Sequence, residues 1–80
     1  MHDYTDGPVL RRIEELMSQQ HRLHDQEALS NDDLDRLRGV RMELDQSWDL
    51  LRQRRALRAA GQDPDKAQLR PPKTVQKYVQ

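Results

Sequence analysis

The residues best suited to chemistry lie in "RQRRALR", residues 52–58. Arg52, Arg54, Arg55 and Arg58 crowd the end of a helical segment, where guanidinium groups can pair bidentately with carboxylates or phosphates. Trp48 stands just before them. It is the one Trp in the chain, and Trp and Arg are the residues most favoured at interface hot spots. Trp48, Arg52, Arg54, Arg55 and Arg58 are therefore the candidate contact residues. Trp48 has two readings. It can widen the hydrophobic seam of its own helix, or it can anchor a partner.

Other chemistry finds little support. The chain has no Cys, so thiolate catalysis, disulfides and Cys-ligated metals are excluded. Ser18, Ser30 and Ser47 show no arrangement with a His and a carboxylate that suggests a triad. Gly7, Gly39 and Gly61 stand alone, so no phosphate-cradling loop is present. His21 and His24 share a helix face and could join Asp25 on a metal, but no third ligand has recognisable spacing. The expectation is a non-catalytic chain without cofactor, metal or small-molecule substrate.

Charge is unevenly distributed. Residues 1–51 carry six Lys/Arg against twelve Asp/Glu, a balance of −6; residues 52–80 carry eight against two, a balance of +6. Such asymmetry suggests an interaction tail or a nucleic-acid contact, or a basic end lying on an acidic half. A nucleic-acid-binding domain is usually basic overall, whereas this chain is neutral. A protein partner or a homodimer is therefore favoured over nucleic acid. In the nucleic-acid alternative, the arginines would act with Lys66, Arg70, Lys73 and Lys77 on phosphates. No stretch has the length or apolarity of a signal peptide or membrane span, so a cytoplasmic location without membrane contact is expected.

Two helices position these residues. Gly7-Pro8 suits a helix start, with Asp6 as a candidate cap, and Val9, Leu10, Ile13, Leu16, Met17 and Leu23 fall on one face. Helix 1 is placed at about 8–28. Ser30 with Asp33 approximates a capping box, and Asp32, Asp33 and Asp35 complement the helix dipole. Helix 2 runs over about 31–60, to Gly61, the residue suited to a left-handed stop. Leu37, Leu44 and Leu51 repeat every seven residues, with Leu34, Val40 and Trp48 beside them: a coiled-coil-like seam. Asp45, Asp49 and Arg52 look like an ordinary solvated ladder.

A short connection makes the pair an antiparallel hairpin. With the turn near residue 30, Leu23 meets Leu37, Leu16 meets Leu44, Val9 meets Leu51, and Trp48 lies over Ile13 and Arg12. Residues 52–60 then overhang helix 1 and need cover from the tail, a second copy or another molecule. The fold class is all-α: a two-helix hairpin over 1–61, then a basic, Pro-containing, extended and partly disordered tail over 62–80. Val75, Tyr78 and Val79 suit a final helical turn. Only 34% of residues are hydrophobic, a thin core for a lone hairpin, so either dimerisation into four helices or packing of the tail on the hairpin is expected.

The string L-D-Q-x-W-D-L-L-R-Q-R-R-A at 44–56, followed by G-x-D-P at 61–64 and Arg70, resembles a family of short, uncharacterised actinobacterial proteins, domain of unknown function 2630. The resemblance covers most of the chain. It implies a small helical protein and lends no activity, cofactor or site residue.

Overall fold

The computed structural model describes residues 6–71. Helix α1 spans Gly7–His24 and helix α2 spans Asn31–Ala59. A 3₁₀ turn follows at Pro64–Lys66, and no strand occurs among the described residues. The suggested final turn around Val75, Tyr78 and Val79, and the lysines at 73 and 77, lie outside the described residues.

Helix α1 begins with Pro8 in its first turn. It ends at His24, four residues short of the expected end. Asp25 and Glu27 would place carboxylates on the negative end of the dipole, and the next half-buried apolar side chain is Leu29. The start of α2 matches its sequence signature. Ser30 Oγ accepts from the Asp33 N–H at 3.1 Å, and the Ser30 N–H donates to Asp33 Oδ2 at 3.1 Å. At the other end Gly61 adopts φ 72°; its N–H donates to the Arg58 carbonyl at 3.0 Å, and the Gln62 N–H to the Leu57 carbonyl at 2.8 Å. This paired bonding is the Schellman motif, and the positive φ favours Gly.

The helices pack antiparallel around Ile13, Leu16, Val40, Leu44 and Leu51, with Val9 alongside and Leu23 and Leu37 buried nearer the turn. Labelled as heptads, the a and d positions of α2 are Leu37, Val40, Leu44, Ser47, Leu51, Arg54 and Arg58. Those of α1 are Asp6, Val9, Ile13, Leu16, Gln20 and Leu23. The seam position beside Trp48 is thus taken by Ser47, which is buried, while Leu34 and Trp48 are 44% and 40% exposed. The expectation that both fill the seam is corrected. A residue one place past d sits about 100° around the helix and reaches only the flank.

Residues 52–60 do not overhang unsupported. Beyond Gly61 the chain turns back and runs along α2. Gln53 Nε2 donates to the Gln68 carbonyl at 2.8 Å, and the Gln68 N–H returns a bond to Gln53 Oε1 at 3.3 Å. Gln46 Nε2 donates to the Arg70 carbonyl at 3.1 Å. Pro64 is fully buried. Of the two ways to thicken the core, packing of the tail on the hairpin is the one this chain displays.

Candidate functional site

Helix α2 divides into three faces. The seam meets α1, and a second face carrying Gln46, Asp49 and Gln53 meets the returning segment. Asp49 is not part of a solvated ladder: its side chain is 2% exposed. It accepts from Arg70 Nε at 2.8 Å and Gln53 Nε2 at 2.8 Å, and its Oδ1 pairs with Arg70 Nη2. The Arg70 hydrogen bonds hold its carboxyl below the usual carboxylate range, against the opposing pull of burial. Arg70 is therefore a strut of the fold.

Arg54 and Arg58 continue the seam, and Asp6 closes on both. Arg54 Nε lies 2.8 Å from Asp6 Oδ1, and Arg58 places Nη1 at 2.8 Å and Nη2 at 2.6 Å on the two carboxylate oxygens. Arg54 also reaches Asp65 Oδ1 at 2.9 Å. Asp6 stands at the helix start but makes no side-chain cap; its carboxylate serves the far helix instead. The Arg58 hydrogen bond, then that from Arg54, holds the Asp6 carboxyl far below its ordinary range despite burial. Two of the five candidate contact residues are thus committed inside the molecule.

The other three, Trp48, Arg52 and Arg55, share the third face of α2, which neither α1 nor the returning segment covers. In an antiparallel pair g positions of one helix neighbour g positions of the other, and e neighbours e. Arg12 and Glu43, both at g, confirm the register with a 2.6 Å hydrogen bond. On the opposite flank the e positions are Leu10, Met17 and His24 on α1 and Arg41, Trp48 and Arg55 on α2. Leu10 is 39% and Met17 52% exposed. The open flank is therefore an apolar strip of Leu10, Met17 and Trp48 bordered by arginines. The α1 contribution escaped the sequence reading because Leu10 and Met17 look like core residues; their place at e, one step past d, was the available signal.

His21 and His24 do not form a metal site with Asp25. His21 Nε2 lies 3.3 Å from Asp25 Oδ2 with both side chains largely exposed. Among the described residues no three His, Asp or Glu side chains gather as metal ligands. No helix among them is long and apolar enough to cross a membrane.

The family described as "Protein of unknown function (DUF2630)" matches residues 5–80. The chain belongs to this family. Two uncharacterized proteins, Rv0898c of Mycobacterium tuberculosis and Mb0922c of Mycobacterium bovis, are each 41% identical over 79 residues, covering 94% of this chain and 91% of the relative. No solved structure matches. In this DUF2630 chain the string that carries the family resemblance has a structural account. Gln46, Asp49 and Gln53 hold the returning segment, Arg54 binds Asp6 and Asp65, and Gly61 and Pro64 make the reversal that brings Arg70 to Asp49.

Proposed function

We propose that this chain is a small, non-catalytic intracellular interaction module whose contact face is the open flank of the hairpin: Trp48 and Met17 at the centre, Leu10 beside them, Arg41, Arg52 and Arg55 at the rim. The observation that carries the reading is the position of Trp48. The chain's one indole is 40% exposed, on the same flank as the exposed Leu10 and Met17 and on the α2 face that no other described element covers. Trp and Arg clustered over apolar neighbours are the usual composition of an energetic centre in a protein interface. Arg54 and Arg58 support that face from behind by fixing the end of α2 to the start of α1.

The test is site-specific photo-crosslinking in cells, with a benzophenone amino acid at position 48, and at position 36 on the opposite flank as control. The expected outcome is a discrete protein adduct from position 48 and none from 36. Adducts to nucleic acid from position 48 would replace this reading with the phosphate-binding alternative. Equal, diffuse labelling from both positions would refute a contact face.

A further inference from the structure

We infer that the open flank receives an acidic amphipathic helix from another protein, laid in the groove between α1 and α2 to complete a three-helix bundle. This inference rests on the interaction reading above and deepens it by naming the partner's chemistry.

The first argument is periodicity. The flank repeats every seven residues on both helices: Leu10, Met17 and His24 on α1, and Arg41, Trp48 and Arg55 on α2. An extended peptide repeats every two residues, but a helix repeats every seven and can meet all three layers with one face. Arg41 to Arg55 is two heptads, about 21 Å at 1.5 Å per residue, so about four turns of partner helix would span the strip. Apolar anchors at this spacing suit helix-in-groove recognition.

The second argument is charge. Arg41, Arg52 and Arg55 are exposed and make no ion pair among the described residues, as is true of Arg11 and Arg22 on the outer side of α1, whereas Arg12, Arg36, Arg38, Arg54, Arg58 and Arg70 all do. Arg52 acts on Asp49 at a distance, but that carboxylate is already closed by Arg70 and Gln53. Glu14 and Asp45 edge the strip and form no ion pair with these arginines. Three unmatched guanidiniums around an apolar centre select carboxylates and repel a basic partner. The same rim argues against a second copy. A two-fold contact that faces α2 with α2 would set the arginines of one copy against those of the other, and one that faces α2 with α1 would offer them Glu14 as the one carboxylate edging the α1 strip.

The experiment is selection from a displayed library of helices about five turns long, with fixed Leu and Ile at heptad core positions and flanking positions randomised among Glu, Gln and Lys. Binding is read on the full-length chain, on Arg52→Glu/Arg55→Glu and on Trp48→Asp. The expected result is enrichment of Glu at the flanks. The double charge reversal should weaken the selected helices on the order of tenfold and switch the enriched flank residue to Lys, and Trp48→Asp should abolish binding. Enrichment without charge preference, or of Lys on the unaltered chain, overturns the acidic partner and leaves the contact face standing. Enrichment equally strong on Trp48→Asp overturns both. No enrichment overturns the helix-in-groove inference. So does a dimer at assay concentration that Trp48→Asp converts to monomer, because the occupant is then a second copy.

Discussion

Replacing Arg70 by Met should destabilise the protein far more than its place near the end of a polar tail suggests. Arg70 supplies two hydrogen bonds and a full charge to Asp49, whose side chain is 2% exposed. Without it the carboxylate keeps only the Gln53 amide and the distant charge of Arg52. Breaking a buried ion pair by removing one partner costs about 3–5 kcal/mol. The Arg70 side chain is itself 36% exposed, so water can enter the vacated place and Gln53 remains. The cost should then be about 2–3 kcal/mol. At roughly 0.05–0.15 kcal/mol per residue, a chain of this size has about 4–12 kcal/mol in total, so the loss is a large fraction. Urea unfolding followed by circular dichroism at 222 nm would read it. The double variant Asp49→Leu/Arg70→Met should recover most of the loss, because it removes the stranded charge along with its partner. A single-variant cost under about 0.5 kcal/mol, or a double variant no better than the single, would refute the reasoning and make the returning segment a loose appendage.

Ser30→Ala should cost about 1 kcal/mol by removing the α2 cap, read by the same unfolding curves. Asp6→Asn should cost roughly 1–2 kcal/mol, since it removes the Asp6 charge from the 12%-exposed Arg54 side chain and from Arg58; an unchanged midpoint would show that the link between helix ends does not hold the fold. The carboxyls of Asp6, Asp33 and Asp49 all lie below their ordinary values in the folded chain. Their stabilisation is complete above the unfolded value of about 3.9 and is lost as pH falls towards the folded values. Stability should therefore be level near neutrality and decline below about pH 4; a decline already present at pH 6 would point to other groups.

Much of the fold was legible because it follows from local and periodic rules. Ser30 and Asp33, the Gly61 stop and the Leu37/Leu44/Leu51 repeat each signal their role within a few residues. The pairing register followed from the position of the turn, but reading residues 52–60 as an overhang and Asp6 as a cap missed the closure of Asp6 on Arg54 and Arg58. What the sequence concealed were polar residues with a covered face. Asp49 read as part of a solvated ladder, yet Gln46, Asp49 and Gln53, spaced three and four apart, are a seam of their own, made of hydrogen bonds to the returning segment rather than of apolar contacts. Trp48 misled in the opposite direction: a large apolar side chain invites a core position, while the smaller Ser47 holds it. For the candidate site, the arginine cluster marked the right region. Proximity in sequence could not separate Arg52 and Arg55, which face outward, from Arg54 and Arg58, which lie on the seam one to six residues away.

The central claim is that Trp48 is not part of what holds the hairpin together and so remains open to a partner. Equilibrium urea unfolding of Trp48→Ala beside Leu51→Ala, followed by circular dichroism, tests it most directly. Leu51 is 1% exposed and Trp48 40%. The account predicts a loss of about 2–5 kcal/mol for Leu51→Ala and under about 1 kcal/mol for Trp48→Ala. A Trp48→Ala loss of about 3 kcal/mol or more, in the range of aromatic core truncations, would place the indole in the core and contradict the account.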